Sequence, residues 1–121
     1  MQTNPFATRI EYVDVGGKQI ATDQEGYIQD MGKWSEGFAK AQSKKEGLEL
    51  TDEHWDVIWF IREYYEEHQV QAQVRDMIKH FRKKWGKERG NNLYLHKIFP
   101  TGGPQKQGNR FAGIRKTKGE H

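Results

Sequence analysis

The stretch LTDEHWDVIWFIREYY, residues 50–65, constrains this chain more than any other. Thr51 is a natural helix N-cap, and Asp52 and Glu53 sit where the positive end of a helix dipole favours carboxylates. Behind them Trp55, Ile58, Trp59, Ile61 and Tyr65 recur at helical spacing, and Val57, Phe60 and Tyr64 widen the apolar face. A helix with so little of its circumference wet belongs in the middle of a core, with other elements packed round it. Material for that core is scarce but bulky: 34% of the 121 residues are hydrophobic, among them four Trp, five Tyr and six Phe. Each aromatic buries about 150–250 Å², so one small domain is feasible.

The rest of the chain supplies the packing partners. Residues 1–9 read as loose. In IEYVDVGGKQIAT, β-prone residues flank Gly16-Gly17, a two-residue hairpin signal, and a second turn centres on Gly26. From Trp34 to about Lys45 a polar helix is expected, with Trp34, Phe38 and Ala41 on one face and Gly47 ending it. After a break near residues 68–70, Val74, Met77, Ile78, Phe81 and Trp85 repeat at helical spacing, which turns Arg75, Lys79, Arg82 and Lys83 outward. Gly86 and Gly90 close that helix, and NNLYLHKIF predicts a short last helix stopped by Pro100. TGGP then punctuates the chain before a polar, glycine-rich end. The expected fold class is mainly α: a small orthogonal helical bundle with a helix-turn-helix-like element, an N-terminal β-hairpin and a flexible C-terminal arm. The expected division is a core over 1–103 and an arm over 104–121.

Composition removes several function classes. There is no cysteine, so disulfides, thiolate–metal sites and covalent sulfur chemistry on the chain's own thiol are excluded. The five histidines show no HxxxH or HExxH spacing, and Asp76 with His80 makes at best a weak helical pair. Adjacent Glu66 and Glu67 point to different sides of a helix, Ser35 and Ser43 lie on a polar helix, and Gly102-Gly103 lacks the Gly-Lys-Ser/Thr ending of a phosphate loop. No catalytic residue, no metal site and no cofactor is expected. No apolar run approaches the roughly 20 residues of a bilayer span, and the first residues lack a secretory apolar stretch, so a cytoplasmic location is expected.

Charge is laid out in blocks. Residues 51–67 hold six acids against Arg62, whereas residues 79–90 hold six bases against Glu88. Solvated helix faces explain part of this, and an anion-attracting surface is the alternative. Two helices joined by a short turn, with Arg75, Lys79, Arg82 and Lys83 outward and Gln71 and Gln73 at the second helix's start, have a layout that could grip DNA.

Several stretches then converge. GKQIATDQEGYIQD, Trp34-Ser35-Glu36, LTDEHWDVIWFIREYY, GNNLYLHKIFPTGGPQKQG and FAG followed by a short basic end together resemble the DsrC/TusE family, small proteins linked to dissimilatory sulfite reductase and to sulfur relay. The resemblance runs from about Gly17 to His121. It implies a mostly helical fold with an N-terminal hairpin and a C-terminal arm whose penultimate cysteine carries sulfur. A second cysteine, eleven positions earlier, belongs to the sulfite-reductase partners. Laid on this chain without a gap, those positions are Asn109 and Glu120, and Arg115 and Thr117 replace two prolines.

Lys106, Arg110 and Lys116 thus remain from a setting that would stabilise a thiolate in a thiol-bearing relative. Here they leave an arm with cationic groups for an acidic cleft, and an apolar Phe111–Ile114 patch that either folds back or anchors docking. The resemblance implies a non-catalytic regulatory or decoy protein that binds a protein partner of the sulfite-reductase or sulfur-relay type. A DNA-binding regulator of sulfur-metabolism genes is the alternative. The sulfur-carrier role that the family resemblance alone would assign is the third reading.

Overall fold

The computed structural model describes residues 9–116. The chain begins with an antiparallel hairpin of β1 (Glu11–Val15) and β2 (Lys18–Thr22), whose register pairs Val15 with Lys18 across the Gly16–Gly17 turn. Asp14 Oδ1 accepts from the Gly17 N–H at 3.1 Å and fixes that turn. A second turn follows, in which the buried Asp23 carboxylate accepts from the N–H groups of Glu25, Gly26 and Tyr27. Ile28 then bridges back to Thr22.

Five α-helices follow among the described residues: α1 (Glu36–Lys45), α2 (Asp52–His68), α3 (Val74–Trp85), α4 (Asn92–Ile98) and α5 (Gly103–Ala112). The protein is therefore mainly helical with an N-terminal two-stranded hairpin, the class its sequence leads one to expect. No helix among the described residues is long and apolar enough to cross a membrane.

Local chemistry explains where the helices start. Thr51 caps α2, and His54 returns the bond through Nδ1, which accepts from the Thr51 N–H at 2.9 Å. His54 Nε2 lies 2.6 Å from the Ile98 carbonyl and donates to it, so this buried histidine ties α2 to α4. Asn91 caps α4 at Tyr94 N. Gln73 opens α3, its backbone N–H donating to the Asp76 carboxylate at 2.9 Å.

Three expectations need correction. Trp34 does not belong to the helix that follows it: Met31–Lys33 form a single 3₁₀ turn, Trp34 is extended, and the Ser35 hydroxyl accepts from Phe38 N, which starts α1 at Glu36. The NNLYLHKIF segment is not the last helix. Nor does residue 103 separate a core from an arm, because residues 103–112 form α5, with Pro104 in its first turn, where a missing N–H is harmless.

The larger core cluster gathers round α2. Val57, Ile58 and Ile61 pack with Met77 and Phe81 of α3, Leu95 and Phe99 from the α4 region, and Phe111, Ala112 and Ile114 at the C-terminal end. A smaller cluster of Val13, Ile20, Ile28 and Phe38 joins the hairpin to α1. Helix α5 packs against α1, α2 and α4 together. It closes the bundle.

Candidate functional site

The residues that carry the family resemblance at the C-terminal end are mostly inside the protein. Gln107 and Asn109 are fully buried, Arg110 is 7% exposed, and Phe111, Ala112 and Ile114 complete an interior stretch. Helix α5 contains few apolar residues, so its burial rests on polar groups that find partners.

Glu46, at the end of α1, is the centre of that arrangement. Its carboxylate receives Arg110 Nε at 2.9 Å and Nη2 at 3.0 Å, Gln107 Nε2 at 2.8 Å and Gln42 Nε2 at 2.8 Å. Arg110 Nη2 also donates to the Thr101 carbonyl at 2.6 Å, while Gln107 Oε1 accepts from Thr101 N at 3.1 Å. The two charged side chains are 8% and 12% exposed. Burial works against the Arg110 charge, but the hydrogen bonds and attraction of Glu46 outweigh it and hold the guanidinium above its ordinary range. The Tyr27 ring lies 5.6 Å from the same guanidinium.

A second set of contacts holds the far end of α5. Trp34 Nε1 donates to the Phe111 carbonyl at 2.7 Å, and Arg62 Nη1 donates to the Ala112 carbonyl at 2.7 Å. The Arg62 guanidinium also sits over the Trp34 ring, 3.8 Å from its centroid. Burial lowers the Arg62 pKa, a shift that nearby Glu66 opposes. Helix termini leave carbonyls without partners; here Arg62 of α2 and Trp34, just after the 3₁₀ turn, satisfy two of them. Gly113 ends α5 at φ 74°, and a Cβ on it would lie 2.2 Å from Trp34 Cδ1, so close approach of the indole demands glycine. Beyond it Lys116 meets the Glu25 carboxylate and lies 5.8 Å from the Tyr27 ring. That bond to Glu25 raises the Lys116 pKa.

Among the described residues two side chains of this region keep buried polar atoms without a partner: Gln42, at its Oε1, and Asn109, at both its Oδ1 and its Nδ2.

The sequence-derived site residues therefore separate into groups. Arg110, Phe111 and Ile114, expected on a docking arm, are interior residues that lock α5 in place, so the patch folds back. Lys106 is exposed on α5, and Lys116 is exposed beside Glu25. Asn109 is a core position, and Glu120 lies outside the described residues. Arg75, Lys79, Arg82 and Lys83 are all exposed on α3. Sequence reasoning missed Glu46 and the role of Arg62. The only available sign was that Arg62 is the sole base in an acidic run. Trp34, whose spacing predicts a helix face, is instead the ring that receives α5.

These features define a class: a small helical protein with an N-terminal hairpin, whose last described helix is wired into the core by a buried Arg–Glu pair, and which has no thiol. Residues 14–119 match the family model described as DsrC like protein. The chain is 45% identical over 100 residues to the sulfurtransferase TusE of Salmonella choleraesuis (strain SC-B67), covering 83% of this chain and 91% of that protein. The NMR structure of Allochromatium vinosum DsrC is 48% identical, with a TM-score of 0.80 and coverage of 91% of this chain and 97% of that one. The oxidized gamma-subunit of the dissimilatory sulfite reductase from Archaeoglobus fulgidus is 35% identical, again with a TM-score of 0.80, covering 88% of this chain and 96% of that one. The chain belongs to the DsrC-like family, and is a DsrC/TusE-like protein of the sulfur-relay type.

Proposed function

We propose that this chain is a non-catalytic member of its family, a regulatory or decoy protein that occupies sulfite-reductase-like or sulfur-relay partners without carrying sulfur. The observation that carries this reading is the complete absence of cysteine, with Asn109 and Glu120 at the two positions where the family resemblance places thiols. Neither an amide nor a carboxylate forms a persulfide. The relatives' names support this setting: one is itself called a sulfurtransferase, and the other is a subunit of the dissimilatory sulfite reductase.

Burial of Arg110, Phe111 and Ile114 narrows the surface available for docking. Lys106, Arg115, Lys116 and the residues after them are the groups the C-terminal segment can offer an acidic cleft.

The test is a pull-down from native extract with the full chain and with a chain ending at Lys116, so that α5 stays intact in both. Proteins of sulfur metabolism recovered by the full chain and lost with the shorter one are the expected result. A thiol-bearing relative added in excess should displace them. Equal recovery by both forms would sink the docking role of residues 117–121. Persulfide labelling of the purified protein would sink the non-carrier reading.

A further inference from the structure

A pocket of about 510 Å³ opens where α5 ends, walled by the second half of α2 on one side and by Gly113 and Ile114 on the other. Its composition is unlike the basic surface elsewhere. Trp59, 39% exposed, and Tyr65 provide aromatic wall, and Glu63 and Glu66 add two carboxylates. Neither Glu63 nor Glu66 is within salt-bridge distance of a cation among the described residues, although Asp56 and Glu53 on the same helix are paired with Lys84 and Arg89. Among the described residues the one cation in the lining is Arg62, and its guanidinium is already engaged by the Ala112 carbonyl and the Trp34 ring.

Backbone geometry adds to the negative field. Helix α2 ends beside the pocket with Gln69 at φ 59° as its C-cap, so the negative end of a 17-residue helix dipole lies at the same place. Trp59 is held by an edge contact to Trp34 at 5.4 Å and a stack on Trp55 at 6.4 Å. It is therefore a fixed aromatic surface with part of its ring left to solvent.

We propose that this pocket receives an arginine side chain of a partner polypeptide, stacked on Trp59 and paired with Glu63 and Glu66. A planar guanidinium fits this combination, because it stacks on an aromatic face while its edge donates to carboxylates. Charge complementarity selects a cation: the pocket holds two unpaired acids against one committed base, at a helix C-terminus. The pocket borders the C-terminal segment, so a partner gripping that segment would reach it. The inference itself does not rest on the docking reading, since it concerns the pocket's own affinity.

The test uses the full chain labelled with ¹⁵N and a short synthetic peptide, acetyl-Gly-Arg-Arg-Gly-amide, with its citrulline counterpart as an isosteric uncharged control. Saturable shifts of the Trp59 indole N–H and of the amides of 59–69 and 113–114 are expected. Binding should weaken at least about fivefold with citrulline, and likewise in the Glu63→Gln/Glu66→Gln variant, whose exposed positions leave the fold intact by the same spectrum. Absence of a Trp59 shift, or equal affinity for the citrulline peptide, would overturn the proposal. So would concentration-dependent self-association abolished by the double variant without peptide, which would assign the pocket to a second copy of this chain.

Discussion

Replacing Asn109 with cysteine should make the protein more stable, although it restores a residue the chain lacks. Asn109 is fully buried on α5, and neither polar atom of its amide has a partner among the described residues. Burying an unpaired amide is unfavourable by about 1–3 kcal/mol. Asparagine is also a poorer helix former than alanine by about 0.6 kcal/mol, which cysteine does not improve, so propensity cancels. Cysteine behaves as a small hydrophobe and removes two heavy atoms, and the space left behind costs about 1 kcal/mol. The balance is a gain of about 1 kcal/mol, or about 4 °C in Tm for a domain of this size.

Urea unfolding reads this directly as a higher midpoint at unchanged slope. Asn109→Asp is the control. It keeps the shape but buries a charge, and should destabilise by several kcal/mol or titrate as a raised carboxyl. The new thiol should resist iodoacetamide in the native state and react freely in urea. An Asn109→Cys protein that is less stable at the same slope would refute the reasoning, because it would mean the amide has a partner. Rapid native alkylation would refute the placement of residue 109 in the core.

Three further outcomes follow from the same contacts. Arg110→Met should lower stability by about 3–5 kcal/mol, since it leaves Glu46 charged and buried without its bidentate partner; Arg110→Met/Glu46→Met should recover more than half of that loss in a denaturation cycle. Gly113→Ala should cost about 2–3 kcal/mol, combining a left-handed backbone at φ 74° with displacement of Trp34, and should red-shift tryptophan emission. His80 should titrate below its ordinary value of 6.5 by NMR, because burial opposes its charge and Lys84 adds repulsion. Above that value both folded and unfolded chains are neutral there. As pH falls below it, the unfolded chain takes up a proton that the native chain resists. Stability therefore drops until the lowered native pKa is passed, and His80→Gln should remove that part of the slope.

The parts of the fold legible in sequence are those whose cause is local. Thr51 with Asp52 and Glu53 announces α2, the Gly16–Gly17 pair announces the hairpin, and the spacing of Met77, Phe81 and Trp85 announces α3. GPQKQGNRFA, with a proline, two glycines and little apolar surface, predicts an arm where the structure has α5. Its helicity is tertiary in origin. It depends on Glu46, some sixty residues earlier, and on Gly108, where an added Cβ would lie 2.7 Å from Ile61 Cδ1, so that the α5 backbone rides directly on α2. No periodicity reports a buried arginine. Trp34 illustrates the same limit on a smaller scale: the partner of its indole lies 77 residues away.

The wiring of Glu46 to Arg110, Gln107 and Gln42 has an evolutionary consequence. A lineage that loses either charge alone passes through a protein with an orphaned ion in its interior, a step most backgrounds do not survive. Glu46 and Arg110 are therefore expected to change together rather than singly. The seat of α5 thus resists change one residue at a time.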